Sequence, residues 1–322
     1  MVAPLGPRLV STLIIGAAGM IGRKLAAQLP KEDLILHDVV PFDGANAVSD
    51  LSAPGEAERL IASRPQVIFH LAAIVSGEAE ADFEKGYRVN LDGTRRLFEA
   101  VRKEGYRPRV VFTSSIAVFG APFPEAIGDE FLSAPLTSYG TQKAIGELLL
   151  SDYSRRGFFD GIGLRLPTIC VRPGKPNKAA SGFFSGIIRE PLAGQEAVLP
   201  VPETVRHWFA SPRAAVGFLL HASKLDTEKL RARRNLSMPG ISATVGEQIA
   251  ALRKIAGEKA VRLIRRQPDP TIMRIVEGWP RNFDARRALE LGFRADSSFE
   301  QIIRIHLEDE LQKSAQSQPA RG

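Results

Sequence analysis

Apolar runs alternate with amphipathic helical stretches through the first half of the chain, and this order constrains the fold more than any other feature. The apolar runs have the length and composition of buried strands and occupy residues 9–16, 33–40, 66–73, 109–115 and 161–171. The stretches between them have helical periodicity and occupy residues 18–29, 55–64, 82–105 and 136–156. Continuous apolar strands separated by helices indicate a parallel sheet covered on both faces. The sequence therefore predicts an α/β fold with a doubly wound parallel sheet.

The alternation ends at Pro173, after which glycine and proline become frequent. We interpret this change as the start of a smaller lobe that closes over the sheet. A helical stretch at 211–225 then returns the chain to the main domain. The predicted organisation is a main domain at 1–173 with 207–240 returning to it, a smaller substrate lobe formed by 174–206 and 241–314, and a loose tail at 315–322.

Composition excludes several classes of protein. The chain has 322 residues, 44% hydrophobic and 25% charged, as in ordinary globular proteins. No apolar run approaches the ~20 residues that span a bilayer, and the first residues lack the parts of a signal peptide. The single cysteine, Cys170, cannot form an internal disulfide, so we expect a reducing, cytoplasmic setting. The net charge is +7, and the basic residues behind it are interspersed with acidic ones. This pattern favours a solvated basic face over nucleic-acid binding.

A glycine pattern follows the first predicted strand. Gly16, Gly19 and Gly22 recur at three-residue intervals in "GAAGMIG" and open the first predicted helix. A tight turn at a helix N-terminus can hold a pyrophosphate, and glycine permits its close approach. Asp38 closes the second strand, where a carboxylate can accept both hydroxyls of an adenosine ribose and would repel a 2′-phosphate. We therefore expect a Rossmann-type dinucleotide-binding domain that prefers NAD to NADP, although Asp38 can also serve only to cap its strand.

Further residues are expected around the dinucleotide. Asp50 is either an acceptor for the adenine amino group or an ordinary loop aspartate. "HLAAIVS" ends the third strand with small residues that suit a backbone passing close to a cofactor, whereas His70 is expected to be a packed, hydrogen-bonded histidine. No spacing of the five histidines with Cys170 or with carboxylates indicates a metal site. The residues expected to bind the cofactor are Gly16, Gly19, Met20, Ile21, Gly22, Asp38, Asp50, Leu51, Leu71, Ala72, Ala73, Asn90, Tyr139, Lys143, Pro167, Thr168 and Ile169.

A tyrosine and a lysine share one face of the helix at 136–156. Tyr139 and Lys143 stand four residues apart, so their side chains lie one above the other. A free tyrosine has a pKa of ~10, too high for a base near neutral pH. We expect a nearby ammonium and the positive nicotinamide to lower that pKa, so that Tyr139 takes a proton from a substrate hydroxyl as hydride passes to NAD. Hydroxyl groups of Ser114 and Ser115 stand at the carboxyl end of the preceding strand, where open α/β sheets place their ligands.

The order of these motifs resembles that of a known family. The glycine pattern, an acidic strand end, "HLAA", an asparagine in "VNLDGT", "SSIAVFG" and "YGTQK" occur in that order and at similar spacing in the extended short-chain dehydrogenases/reductases, which include nucleotide-sugar epimerases and dehydratases. The resemblance covers nearly the whole chain. It implies that Ser115 is catalytic and hydrogen-bonds the reacting oxygen, and that Lys143 also holds the nicotinamide ribose. It further implies that Asn90 holds the lysine and a proton-relay water in place.

The second half of the chain indicates the substrate. It departs from the pattern typical of nucleotide-sugar enzymes, and the stretch 165–222 resembles a branch of the family that acts on a four-carbon sugar acid. That resemblance implies NAD-dependent oxidation of the C2 hydroxyl. A guanidinium suits the carboxylate of such a substrate, so Arg206 and Arg213 are candidates, each alternatively a surface or lobe-packing residue. The residues expected to contact substrate are Ser76, Ser115, Tyr139, Asn177, Arg206, His207 and Arg213.

Three classes of function remain open from the sequence. The first is a sugar-acid dehydrogenase, and the second is a nucleotide-sugar epimerase or dehydratase that retains NAD and returns the hydride. The third is a non-catalytic dinucleotide sensor, against which the complete set of Ser115, Tyr139 and Lys143 argues. By analogy with relatives, we expect the helices at 82–105 and 136–156 to pair across a two-fold axis in a homodimer.

Overall fold

The computed structural model of the chain describes residues 11–174 and 180–312. Apolar segments of the sequence form strands in three sheets. In chain order the strands are β1 Thr12–Ile15, β2 Leu34–Asp38, β3 Ala47–Val48, β4 Val67–His70, β5 Arg109–Ser115, β6 Asp160–Leu166, β7 Thr168–Ile169, β8 Ala197–Leu199, β9 Arg206–Ala210, β10 Asn235–Ser237, β11 Ile241–Thr244 and β12 Ile264–Arg266.

The largest sheet has seven strands in the order β10-β6-β5-β4-β1-β2-β3, and every pair in it is parallel. The chain leaves β1 toward β2 and β3 and then returns to β4 on the other side. This reversal places a crevice at the carboxyl ends of β1 and β4, where doubly wound sheets bind ligands. The predicted α/β fold is therefore confirmed. Two smaller sheets, β11-β9-β7 and β12-β8, lie outside it.

Helices cover both faces of the large sheet and build the second lobe. They are α1 Met20–Ala26, α2 Glu56–Ile61, α3 Ser76–Ala81, α4 Phe83–Gly86, α5 Gly93–Glu104, α6 Ser138–Arg155, α7 Gly182–Leu192, α8 Pro212–Lys224, α9 Val245–Val261, α10 Pro270–Glu277, α11 Arg286–Glu290 and α12 Phe299–His306. None of the helices in the described residues is long and apolar enough to cross a membrane.

Alternate residues of the large sheet belong to two hydrophobic clusters. Ile14 and Val111 pack with helices α1 and α8 on one face, and Leu13 and Val110 pack with α2 and α5 on the other. Successive side chains of a strand point to opposite faces of the sheet, so a strand that is apolar throughout is buried on both faces. A third cluster, centred on α7, α9 and α12, forms the core of the smaller lobe.

Two predicted elements are interrupted in the structure. The predicted helix 82–105 begins with α4, passes through a π-helical turn at Tyr87–Asp92 and continues as α5 to Gly105, whose positive φ of 69° ends it. The predicted strand 161–171 divides at Pro167, because proline has no N–H to donate to a sheet. β6 therefore stays in the large sheet, and β7 pairs with β9 in the smaller one.

Candidate active site

The glycine turn between β1 and α1 is confined by its neighbours. Gly16 has a φ of 93°, and its amide donates to the carbonyl of His37 at 2.9 Å. A Cβ on Gly16 would lie 2.6 Å from the amide nitrogen of Ala72, and one on Gly22 would lie 2.3 Å from the carbonyl oxygen of Gly16. Only glycine fits at these two positions. The turn passes directly beside the 71–73 backbone, as a dinucleotide cradle requires, so the residues present fit NAD.

Asp38 faces the glycine turn from the end of β2. Its Oδ2 accepts the amide hydrogen of Ala18 at 2.9 Å, and its Oδ1 accepts that of Val40 at 3.1 Å. The carboxylate is therefore fixed at the mouth of the crevice and retains lone pairs for further donors. The capping role of Asp38 is present in the structure, and its ribose role stays a prediction.

Asp50 is already engaged by protein donors. Its carboxylate accepts from the amide and hydroxyl of Ser52 and from Arg88 Nη1, at 2.9, 2.6 and 2.5 Å. Burial alone would raise the pKa of Asp50, but the hydrogen bonds from Ser52 and Arg88 hold it below its usual value. The neighbouring Leu51 is buried. An adenine contact by Asp50 would have to add to these bonds.

Tyr139 and Lys143 stand on α6 beside the end of β5. The helix begins at Thr137, whose hydroxyl accepts the amide hydrogen of Gly140 at 3.0 Å. Lys143 Nζ lies 5.8 Å from the centre of the Tyr139 ring and donates to the carbonyl of Thr113 at 2.8 Å. At the end of the same strand, Ser115 Oγ accepts the amide hydrogen of Ala117 at 3.1 Å. The fold thus brings the three predicted catalytic side chains to one edge of the sheet.

The electrostatics of Tyr139 differ from the sequence-based expectation. Burial raises the pKa of Tyr139, and the charge of Arg172 and a hydrogen bond with Ser115 oppose that rise. Burial also lowers the pKa of Lys143 to about 8, while the Glu147 carboxylate acts to raise it. The expectation that the Lys143 ammonium lowers the pKa of Tyr139 is corrected in this respect. Within the protein desolvation dominates, and the guanidinium of Arg172 supplies the positive charge that reaches the phenol.

Asn90 occupies the π-helical turn and is fixed from two sides. Its Oδ1 accepts the amide hydrogen of Ile74 at 2.9 Å, and its Nδ2 donates to Gln142 Oε1 at 2.8 Å. The expected contact between Asn90 and Lys143 is not among the hydrogen bonds that the structure describes, because the lysine is directed to Thr113 instead. Asn90 ties the 71–76 segment to α6, which helps to position the helix that carries Tyr139 and Lys143.

The residues around β7 are held by hydrogen bonds of their own. Pro167 and Ile169 flank Thr168, whose hydroxyl lies 2.7 Å from His207 Nε2, and His207 Nδ1 lies 2.9 Å from the carbonyl of Pro280. Nδ1 must donate to that carbonyl, so Nε2 accepts from Thr168. Burial lowers the pKa of His207 to about 4, which keeps the ring neutral. Both ring nitrogens are thus occupied, so His207 supports Thr168 and is not a free substrate contact.

The two arginines predicted to meet a carboxylate are paired elsewhere. Arg206 lies 3.2 Å from a Glu247 oxygen and donates to the carbonyl of Ser242. Arg213 lies at the start of α8, half exposed, and binds Glu308 at 2.9 Å and Asp309 at 2.8 Å. These protein carboxylates neutralise both guanidinium groups, so the prediction for Arg213 is corrected to a surface ion pair.

The remaining substrate candidates can be placed only in part. Ser76 begins α3, next to Val75 in the cleft wall, and Asn177 lies outside the described residues. Within residues 11–174 and 180–312, no group of three His, Cys, Asp or Glu side chains is placed to hold a metal ion.

A cleft of 340 Å³ joins the glycine turn to the smaller lobe. Sequence reasoning missed six of its residues, among them the two cations Arg172 and Arg189. Arg172 could have been found from its position, because it directly follows the predicted strand 161–171 at the edge of the sheet where ligands bind. The lining consists of Gly16, Gly19, Met20, Ile21, Gly22, Leu71, Val75, Arg172, Pro173, Gly182, Ser185 and Arg189.

Comparison with known proteins agrees with this geometry. Residues 12–227 match the model of the NAD dependent epimerase/dehydratase family. A D-erythronate dehydrogenase from Cupriavidus necator is 47% identical over 93% of this chain and 98% of that protein. Another, from Haemophilus influenzae, is 43% identical over 93% of this chain and 99% of that protein. A crystal structure described as a nucleoside-diphosphate-sugar epimerase from Agrobacterium tumefaciens is 66% identical, with a TM-score of 0.88 over 96% of this chain and 98% of that one.

Proposed function

The chain belongs to the NAD dependent epimerase/dehydratase family, and we propose that within this family it oxidises the C2 hydroxyl of D-erythronate to 2-dehydro-D-erythronate. The observation that carries the proposal is the similarity to two D-erythronate dehydrogenases over nearly the whole length of each protein. The enzyme is an oxidoreductase, and the arrangement of Ser115, Tyr139 and Lys143 at the sheet edge supports a reaction at a hydroxyl-bearing carbon.

Tyr139 is the proposed general base. It takes the proton of the C2 hydroxyl as the O–H and C2–H bonds break and a C2=O bond forms. Ser115 hydrogen-bonds the reacting oxygen and directs it toward the phenol. Bound NAD supplies the acceptor for the hydride that leaves C2. Because burial raises the pKa of Tyr139, the positive groups around it must stabilise the phenolate for the base to act near neutral pH.

Lys143 is the residue proposed to hold the nicotinamide ribose beside that base. Its ammonium is anchored to the carbonyl of Thr113 and retains two further protons for donation to a ribose hydroxyl. Its pKa of about 8 leaves it largely charged at pH 7, with the Glu147 carboxylate favouring that state.

A second candidate function is a nucleotide-sugar epimerase or dehydratase. The relative that favours it is the Agrobacterium tumefaciens structure described as a nucleoside-diphosphate-sugar epimerase. A dehydrogenase must release NADH in every turnover, whereas an epimerase returns the hydride and produces no net NADH. Net redox change therefore separates the two functions.

The test is absorbance at the NADH band with purified protein, NAD and a panel of C3–C5 sugar acids that includes D-erythronate. We expect D-erythronate to give the highest kcat/KM of the panel. No NADH with any sugar acid, together with epimerisation of UDP-glucose without net redox change, would replace this proposal with the epimerase. Following the product by NMR distinguishes oxidation at C2 from oxidation at C3.

The setting of the reaction is also part of the proposal. The single cysteine, Cys170, is buried in the described structure, which suits an enzyme of the reducing cytoplasm. The working form is a homodimer of the full chain.

A further inference from the structure

Oxidation at C2 of a sugar acid restricts where its carboxylate can bind. This inference rests on the proposed function. The carboxylate carbon is bonded directly to the carbon that reacts, so a cation that recognises it must lie beside Tyr139. Arg206 and Arg213, which the sequence predicted for this role, are already paired with Glu247 and with Glu308 and Asp309.

Arg172 is placed where such a cation is needed. It follows β7, the strand whose Thr168 is held by His207, and it lines the same cleft as the glycine turn. Its main chain is held on both sides. Its amide donates to the Ser185 hydroxyl at 3.0 Å, and its carbonyl accepts from Arg189 Nη1 at 2.7 Å. Helix α7 therefore fixes the backbone from which the guanidinium projects.

The charge of Arg172 is not neutralised by a neighbour. Among residues 11–174 and 180–312, no carboxylate pairs with its guanidinium and no hydrogen bond to it is present, whereas Arg189 in the same cleft wall is bound to Glu190. A half-buried cation without a partner favours an anion beside it. The guanidinium also lies close enough to Tyr139 for its charge to lower the pKa of the phenol.

We propose that Arg172 binds the carboxylate of the substrate and thereby presents the adjacent C2 hydroxyl to Tyr139. The planar guanidinium can donate two parallel hydrogen bonds to the two carboxylate oxygens, which fixes the orientation of the carbon next to them. Arg172 is thus a specificity-determining residue, and it explains how the site can select a sugar acid over a neutral polyol.

The test compares Arg172→Gln and Arg172→Lys with Arg213→Gln, a matched loss of an arginine from a surface ion pair. D-Erythronate and erythritol, which has CH₂OH in place of the carboxylate, serve as substrates. We expect Arg172→Gln to raise the KM for D-erythronate by about 100-fold, as loss of a charge-assisted bidentate pair predicts. NADH affinity, measured by fluorescence, and melting temperature should stay at the wild-type values. Arg172→Lys should recover part of the loss, and Arg213→Gln should behave as wild type.

The preference for D-erythronate over erythritol should collapse in Arg172→Gln. Weakened NADH binding with an unchanged KM for D-erythronate would assign Arg172 to the cofactor phosphates and overturn the proposal. A variant with the wild-type KM for D-erythronate and the wild-type NADH affinity would also overturn it.

If the wild-type protein fails to oxidise D-erythronate, the proposed function fails first, and the role of Arg172 is tested by binding. Glycolate, lactate and D-glycerate are then added to the NADH-loaded protein in a thermal-shift assay. Stabilisation of wild type that Arg172→Gln loses would support carboxylate binding by Arg172, and its absence in wild type would overturn it.

Discussion

The hydroxyl of Tyr139 is the single group on which the proposed chemistry depends. Tyr139→Phe keeps the ring on α6 and removes the base, so we expect kcat to fall at least ~100-fold. NAD binding should be retained, because the glycine turn and Asp38 are untouched. Stopped-flow absorbance and NADH fluorescence titration measure the two quantities. A variant that turns over near the wild-type rate would remove Tyr139 as the base.

Asp38 should determine the choice between NAD and NADP. Its carboxylate is fixed by the amides of Ala18 and Val40 at the edge where the ribose is expected. Asp38→Ala should weaken NAD binding by about tenfold or more and relax the discrimination against the 2′-phosphate. The ratio of kcat/KM for the two cofactors measures this effect. Asp43→Ala, an exposed loop substitution nearby, should leave the ratio unchanged; an unchanged ratio in Asp38→Ala would exclude the ribose role.

His70 makes the folding free energy depend on pH. It is 1% exposed, its Nε2–H donates to the Thr94 hydroxyl, and its buried Nδ1 has no partner among the described residues. Burial, reinforced by the charge of Lys143, lowers its pKa to about 3 from 6.5. Below pH 6.5 the His70 imidazole therefore binds a proton in the unfolded chain but stays neutral in the folded protein. The free energy of unfolding consequently falls as the pH decreases.

The size of this effect can be measured by substitution. Between pH 7 and pH 5 the histidine should cost about 2 kcal/mol of the free energy of unfolding. His70→Gln keeps the donor to Thr94 and removes the titration, so urea denaturation should show a smaller loss across that interval. An equal loss of stability between pH 7 and pH 5 in wild type and in His70→Gln would mean that His70 has the same pKa in the folded and the unfolded protein.

At the scale of elements, local signals determined how much could be predicted. The strand at 109–115 has the predicted bounds because no glycine or proline interrupts it, and Gly105 ends the preceding helix as its sequence position indicates. Pro167 divides a predicted strand, yet the sequence does not show that β7 then joins a different sheet. That crossing brings Arg172 toward Tyr139, which is why these two residues, in separate elements, could not be paired from sequence.

Helix α6 is attached to the sheet by a buried ion pair. Glu147 is 3% exposed, accepts from the Ser114 hydroxyl at 2.5 Å and binds Arg165 Nη2 of β6 at 2.7 Å. Breaking a buried pair from one side leaves an uncompensated charge. Glu147→Gln should therefore cost about 3–5 kcal/mol of the free energy of unfolding and remove the carboxylate that favours charged Lys143.

A double-mutant cycle tests this attachment. Glu147→Gln with Arg165→Met removes both charges, and its loss of stability in urea denaturation should be smaller than the sum of the two single losses. Additive losses would mean that the two side chains contribute independently.

Two parts of the described structure, the large sheet with its helices and the smaller lobe, line a common cleft. The sheet carries the glycine turn expected to hold the dinucleotide, helix α7 of the lobe holds the backbone of Arg172 through Ser185 and Arg189, and residues of both parts line the cleft. Neither part alone contains the proposed base, the glycine turn and the proposed carboxylate site. The proposed substrate selection therefore depends on how the lobe packs on the sheet, and the sequence does not predict that packing.

Exposed leucines on α6 and just before it bear on the predicted homodimer. Leu148 is 71% exposed on this helix, and Leu136, just before it, is 66% exposed. Leu148 is a large apolar side chain exposed on α6, and the predicted pairing of α5 and α6 across a two-fold axis would cover it. We expect the wild-type protein to be a dimer by light scattering and Leu148→Asp to shift it toward monomer. Leu289→Asp, an exposed leucine on α11, should remain dimeric. A monomeric wild type, or a Leu148→Asp dimer as stable as wild type, would exclude this face as the interface.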